Sequence, residues 1–359
     1  MDYTNLNKYG LTACIEHQAS SFDGLYLARI IVQHRDMYQV VCEKGELTAV
    51  MSGKFMHDMQ ASGGYPAVGD WVMVDRTDNS GGEAVIHHIL DRKSAFTRKA
   101  AGTANAIQVI AANIDTVFLC MALNADFNLR RMERYLTICW DSGAIPVIVL
   151  TKSDLCNDLN ARLSEISEIS TGADIIICSA MDEESCSMVN SRIKMGETVA
   201  FVGSSGVGKS TLINRLIGED VLSTGEIRRS DGKGKHTTTH RQLLLLPNGG
   251  LVIDTPGMRE LQLYSGNLSK TFEDIEDLAA GCKYRDCTHS NEPGCLVRQA
   301  LESGLLSTER FESYRKLQIE LSYEGLDSRE LEHQKINRMF NSMKEYKQTR
   351  DYYRNKNKR

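Results

Sequence analysis

"FVGSSGVGKSTLINRL", residues 201–216, decides how the rest of the chain is read. Gly203, Gly208, Lys209 and Ser210 complete a G-x-x-x-x-G-K-S pattern, after the apolar run "TVAFV" and before a segment with helical apolar spacing. Strand, glycine-rich turn and helix N-terminus are the context a phosphate-binding loop requires. The glycines let backbone N–H groups curl around a β-phosphate, and the helix N-terminus adds its positive dipole. Lys209 is then expected at the β- and γ-phosphates, with the Ser210 hydroxyl on Mg²⁺. Gly203, Ser204, Ser205, Gly206, Val207, Gly208, Lys209, Ser210 and Thr211 form the expected nucleotide cradle.

The base is read from a second stretch about fifty residues earlier. Thr151, Lys152, Ser153 and Asp154 follow directly on the apolar run "IPVIVL". The carboxyl end of a buried strand is where open α/β sheets bind ligands. An aspartate there can accept from the ring N–H and the exocyclic amine of guanine, and a lysine stem can lie along the base face. Four residues alone are a weak signal, because Ser-Asp often merely caps a helix. Cys178, Ser179 and Ala180 end the next strand, however, and backbone N–H groups of Ser179 and Ala180 are placed for guanine O6. Together the two stretches favour guanine over adenine.

Asp254-Thr255-Pro256-Gly257 lies 51 residues after Gly203. Asp254 fits an outer partner of Mg²⁺, and the Gly257 N–H fits a γ-phosphate sensor able to reorder the loop after it. Between the two motifs, "DGKGKHTTTH" (231–240) occupies the place of a switch loop, with one threonine expected on the magnesium. Met258 stands where many GTPases carry the glutamine that orients water, and a thioether cannot do that. Catalysis must come from elsewhere; His236 is the first candidate and His240 the second. Intrinsic hydrolysis is expected to be slow and to depend on a partner that orders the loop.

The flanking segments differ in pattern. Within 24–95, five Val/Ile/Leu/Tyr-rich runs are separated by turn signals and show no helical period, which suits a small barrel of OB type; an SH3-like barrel would read similarly. From 104 to 275 strands alternate with helices, predicting a mainly parallel sheet with helices on both faces. The remainder lacks strand signals. It holds a Cys/His cluster and helical segments, one starting near Ser307 with Phe311, Tyr314, Leu317 and Leu321 on one side, another opening at Asp327 with Glu330. The expected units are therefore an N-terminal extension (1–23), an all-β OB-type barrel (24–103), an α/β P-loop domain of permuted motif order (104–275) and a zinc-binding helical domain with a basic tail (276–359).

The cluster reads C-x₄-C-x-H-x₅-C: Cys282, Cys287, His289 and Cys295. Three thiolates and one imidazole make a closed tetrahedral set of the structural-zinc kind, with no open position for catalysis. Disulfides would leave one of the three cysteines unpaired. The other seven cysteines are scattered and read as small buried hydrophobes. No apolar run nears the roughly 20 residues that span a bilayer, and the N-terminus lacks an export signal, so a cytoplasmic chain without membrane contact is expected. Total charge is −5, but 335–359 carries nine Lys/Arg against two acids, a net of +7 that leaves −12 on the rest. Such asymmetry points to a polyanionic partner for the tail.

With base reader, phosphate loop, switch, "DTPG" and Cys₃His cluster in this order, the chain resembles the circularly permuted small ribosomal subunit biogenesis GTPases of RsgA type. "NLRRMERYL", "TKSD", "GSSGVGKST", "GKGKHTTTH", "DTPGMRE" and "CKYRDCTHSNEPGC" carry the likeness over nearly the whole chain. The resemblance implies an OB-fold N-terminal domain, GTP hydrolysis stimulated by the 30S subunit, and a role late in 30S maturation. By motif position it places the magnesium-binding threonine on Thr238, the catalytic histidine on His236, and the zinc ligands on Cys282, Cys287, His289 and Cys295. Residues 1–23 have no assigned counterpart.

The expected activity is hydrolysis of GTP to GDP and phosphate, with Mg²⁺ accompanying the nucleotide and one structural Zn²⁺. Expected partners are the 30S subunit with its 16S rRNA and GTP/GDP, and the chain is expected to act as a monomer. Because "DTPG" runs within about 25 residues into the Cys/His segment, nucleotide state is expected to steer that segment. One rival is an RNA-binding OB/zinc protein with a regulatory, weakly catalytic nucleotide site; intact Lys209, Ser210 and Asp254 argue against it. Another is an ATPase or kinase sharing only the phosphate loop, against which the base-reading residues stand.

Overall fold

The computed structural model describes residues 3–34, 37–62, 64–99, 107–222, 241–254 and 267–323, with 330, 332–334 and 336. All five strands expected in the N-terminal part are present: β1 (Tyr26–Gln33), β2 (Tyr38–Cys42), β3 (Gly45–Met51), β4 (Trp71–Val74) and β5 (Ala84–Ile89). They close in the order β1-β2-β3-β5-β4-β1, with β3 and β5 parallel, as in an OB barrel. The strand reading omitted one element: α3 (Gly53–Ser62) lies between β3 and β4. Ser52 starts it by accepting from the Phe55 N–H at 3.1 Å, a cap set by geometry rather than by apolar period.

The N-terminal residues fold onto this barrel. α1 (Thr4–Asn7) and α2 (Ala13–Ala19) bury Leu6, Ile15 and Ala19, and Glu43 accepts from the Asn5 N–H at 3.1 Å. After the barrel comes a hairpin, β6 (Ala95–Lys99) against β7 (Ile107–Ala112). This pairing lies where sequence reading saw only a change of pattern.

The alternating region gives β8 (Thr116–Ala122), α4 (Leu129–Ser142), β9 (Ile145–Thr151), α5 (Leu159–Ser167), β10 (Asp174–Ile177), α6 (Glu183–Ser191), β11 (Thr198–Val202) and α7 (Lys209–Ile217). β12 (Arg241–Leu245) and β13 (Leu251–Asp254) follow as the expected hairpin; Gly249, at φ 82°, supplies the left-handed turn residue. Strands β10, β9, β8, β11 and β13 are parallel neighbours in that order, and β12 is antiparallel. Successive residues of β8 serve opposite faces. Val117, Leu119 and Met121 pack on the side of α4, while Phe118, Cys120 and Ala122 join the side carrying α7. A sheet covered on both faces explains why these strands read as unbroken apolar runs.

Barrel and P-loop sheet are one structure. A bulge in β1 at Ile30/Val32 divides its pairing: Tyr26–Arg29 pair with β4, whereas Val32 and Gln33 pair with β12. The bulge bends the strand out of the barrel and onto the edge of the other sheet, covering an edge that would otherwise be open. Arg29 locks the junction from within. Its guanidinium donates to the Gly69 carbonyl at 3.2 Å and the Thr198 hydroxyl at 2.8 Å, and also reaches the Tyr9 carbonyl. One side chain thus ties the N-terminal segment, the barrel and β11. Burial without a directly bonded carboxylate holds its pKa down to about 10.

After the sheet come α8 (Glu273–Ala280), α9 (Leu296–Ser303) and α10 (Thr308–Leu321). Ser307 caps α10, and Phe311, Tyr314 and Leu317 are buried on the expected face. The second helix expected at Asp327 begins outside the described residues.

Candidate functional site

The parallel strands all deliver their carboxyl ends to one edge of the sheet, and the chemistry collects there. β11 ends at Val202 and α7 begins at Lys209, so residues 203–208 form the connecting loop. Gly203 must be glycine: at φ 156° its backbone runs so close to β8 that a Cβ would lie 2.4 Å from the Cys120 carbonyl oxygen. No side chain caps α7, which leaves its first N–H groups directed into the loop. Lys209 Nζ donates to the carbonyls of Gly203 at 2.7 Å and Ser204 at 2.6 Å, folding across the loop.

The residues expected to read the base are built onto this loop. Thr151 ends β9, and its hydroxyl donates to the Val207 carbonyl at 2.7 Å. Lys152 takes the left-handed conformation at φ 57°, turning the chain into a single 3₁₀ turn, Ser153–Leu155. Asp154 then accepts the Ser179 hydroxyl at 2.6 Å, and the Ser153 N–H lies 3.4 Å from the Cys178 carbonyl. Two stretches 25 positions apart in sequence therefore make one surface. Asp182 caps α6 just beyond, accepting from the Ser185 N–H at 3.0 Å.

Asp254 closes β13, the parallel neighbour of β11, so its position is beside the phosphate loop. The residues expected to complete the site, Thr238 on magnesium, His236 or His240 in catalysis and Gly257 at the γ-phosphate, lie outside the described residues. Sequence reading missed Asp126. It sits in the turn between β8 and α4, where its carboxylate accepts the hydroxyl of the loop residue Ser204 and the Arg131 guanidinium at 2.8 Å. The only sequence signal was an Asp-Phe-Asn turn before a helix.

The Cys/His residues converge between α8 and α9. The four ligand atoms lie within 4.8 Å of one another, with Cys282 Sγ 3.9 Å from Cys295 Sγ and His289 Nδ1 3.4 Å from Cys295 Sγ. A tetrahedral zinc with bonds of about 2.3 Å to sulfur requires S···S separations of about 3.8 Å, so the donor set fits that ion. His289 reaches its place in the left-handed conformation, φ 59°.

A phosphate-loop motif, the joined Asp154–Ser179 surface from segments that precede it, and a parallel sheet with an antiparallel outer strand fit a circularly permuted P-loop GTPase. The RsgA GTPase family model matches residues 89–264. An ABC transporter family model matches 186–343, a span that contains the phosphate loop but not Thr151–Asp154. The chain is 51% identical over 349 residues to Small ribosomal subunit biogenesis GTPase RsgA 2 of Lactiplantibacillus plantarum, covering 97% of this chain and 98% of that one. It is 42% identical over 350 residues to Small ribosomal subunit biogenesis GTPase RsgA of Methanosarcina acetivorans, covering 96% and 94%. Among solved structures it is similar to YjeQ from Thermotoga maritima (TM-score 0.61, 27% identity, 83% of this chain and 98% of that one). It is also similar to YloQ, described as a circularly permuted GTPase (TM-score 0.59, 25% identity, 84% and 96%). The chain belongs to the RsgA GTPase family and is a GTP-hydrolysing enzyme. No helix among the described residues is long and apolar enough to cross a membrane.

Proposed function

We propose that this enzyme binds the small (30S) ribosomal subunit and acts in its late maturation, hydrolysing GTP to GDP and phosphate faster on the subunit than off it. The observation that carries this is identity of 51% through 97% of the chain to a protein named for small-subunit biogenesis. Likeness of that extent includes the barrel and the Cys/His segment, not the GTPase core alone.

In this reading Gly203–Thr211 hold the phosphates, and Thr151–Asp154 with Ser179 and Ala180 read guanine. Ser210, Thr238 and Asp254 would hold Mg²⁺, which supplies charge neutralisation between the phosphates. His236 orients the attacking water in place of the glutamine that Met258 replaces, and Gly257 senses the γ-phosphate. Cys282, Cys287, His289 and Cys295 would hold a structural zinc, and the basic tail supplies electrostatic attraction to 16S rRNA. The units are 1–23, 24–103, 104–275 and 276–359, in a cytoplasmic monomer.

Steady-state GTP turnover with and without purified 30S subunits tests the reading. Acceleration by 30S supports it; an unchanged rate overturns it. Truncation after Ser342 should weaken 30S binding and flatten its salt dependence if the tail contacts rRNA.

A further inference from the structure

A carboxylate is the wrong charge to find against a loop that receives a triphosphate, yet Asp126 touches one. Its placement follows from topology. β8 and β11 run parallel with Leu119 beside Val202, so the turn leaving β8 passes next to the loop leaving β11. That turn is ordered by its own bonds: Asn124 Oδ1 accepts from the Asp126 N–H at 3.0 Å, and the Asn124 carbonyl accepts from the Phe127 N–H at 3.0 Å. Asn128 then caps α4, accepting from the Arg131 N–H at 3.0 Å.

Within this frame Asp126 is charge-matched rather than exposed to the loop as a bare anion. Arg131 Nη1 lies 2.8 Å from one carboxylate oxygen and 3.0 Å from the other. Partial burial acts to raise its pKa, but the Ser204 hydroxyl and Arg131, with the nearby positive charge of Lys152, outweigh it and hold the group below the usual carboxylate range. Asp126 therefore stays ionised, and its charge is taken up by Arg131. What it presents to the loop is a strong acceptor for the Ser204 hydroxyl.

We propose that Asp126 is a positioning residue for GTP binding: through Ser204 it fixes the first turn of the phosphate loop, with Arg131 cancelling the charge that would otherwise repel the triphosphate. The inference rests on 203–210 being the phosphate-binding loop. Fixing the loop before the nucleotide arrives removes an ordering cost that binding would otherwise carry. Arg131 belongs to the first turn of α4, so the turn residue Asp126 is anchored to a helix rather than through a loose surface contact.

Affinities for fluorescent GTP and GDP, with kcat and KM, measured on full-length variants test this. Ser204→Ala and Asp126→Ala should each weaken GTP binding by about tenfold, the size of one hydrogen bond to a charged group. The double variant should be no worse than either single one, because both remove the same contact. Arg131→Ala leaves an uncompensated carboxylate and should weaken GTP more than GDP, since the γ-phosphate adds charge. That difference should vanish in an Asp126→Asn background. Additive losses in the double variant, or an Arg131→Ala effect that survives Asp126→Asn, would overturn the proposal. A purely structural role would lower the unfolding midpoint while leaving the GTP-to-GDP ratio unchanged, and that outcome also overturns it. Lys209→Ala serves as the control for the loop assignment; if it retains GTP affinity, the assignment itself falls, separately from Asp126.

Discussion

Arg310 Nη1 lies 3.0 Å from Glu133 Oε1, joining α10 of the C-terminal segment to α4 of the GTPase sheet across 177 positions of sequence. Both groups are buried, and the carboxylate is completely so. Ser313 donates to the other Glu133 oxygen at 2.5 Å, and Arg310 also binds the Asp274 carboxylate at 2.7 Å and the Thr271 carbonyl at 2.9 Å. The next residue of α4, Arg134, meets Glu320 near the far end of α10 at 2.8 Å. The helix whose first turn supplies Arg131 to Asp126 is thus the one on which α10 docks.

Removing Arg310 leaves the fully buried Glu133 with the half-exposed Arg130 as its remaining charge partner. Arg310→Ala should lower stability by about 3 kcal/mol or more. Replacing both with apolar residues, Glu133→Leu with Arg310→Met, should recover most of it. Urea unfolding of the two variants beside the wild-type chain checks this; equal losses would show that the charge itself is not the issue.

Guanine selection should depend on Ser179 as well as on Asp154, because the 2.6 Å bond between them fixes the carboxylate's orientation. Ser179→Ala should weaken GDP binding by roughly tenfold, the effect of freeing one charged hydrogen-bond partner. Asp154→Asn should reduce the preference for GDP over ADP. Competition between the two diphosphates against a labelled guanine nucleotide reads both effects.

Cobalt should enter the Cys₃His set and give the intense thiolate charge-transfer band of a tetrahedral centre. Cys282→Ser should weaken that band and lower metal retention. Chelation should increase amide exchange first between α8 and α9, where the four ligands converge. Unaltered exchange there after metal removal would argue that the segment folds without an ion.

Acid should loosen the same segment through Glu292. The Thr288 hydroxyl and N–H (2.6 and 2.9 Å), with the Ser290 N–H at 2.8 Å, hold its pKa down to about 2 from 4.5. A carboxylate depressed in the folded state binds fewer protons there than when unfolded, so its contribution is complete above about pH 4.5 and fades as pH falls toward 2. A side-chain NMR titration of the full chain should show the low midpoint. Glu292→Gln should remove this part of the acid sensitivity.

Legibility in the sequence followed the range of the interactions. Gly203–Ser210 could be read because loop, strand end and helix start are neighbours in sequence. Thr151–Asp154 and Ser179 were each legible as strand-end residues, but the Asp154–Ser179 bond needed the parallel pairing of β9 with β10. The face of α4 could be read from its period; Glu133 could not, since an acidic residue on a buried face gives no sign of a partner 177 positions away. α3 was missed because ten residues between barrel strands were too few to outweigh the strand pattern around them.

The sequence by itself determined the parts: a phosphate-loop motif, the two strand-end stretches ahead of it, a four-residue Cys/His set and a five-stranded barrel. Each is written in short stretches of consecutive residues, where backbone geometry and side-chain period act directly. Only the tertiary structure decided how the parts are joined. The bulge in β1 hands the strand from barrel to β12, Arg29 ties three segments, the turn before α4 brings Asp126 to Ser204, and α4 brings Glu133 to Arg310. These contacts link residues far apart in the chain, and their strength comes from burial, which no local pattern records.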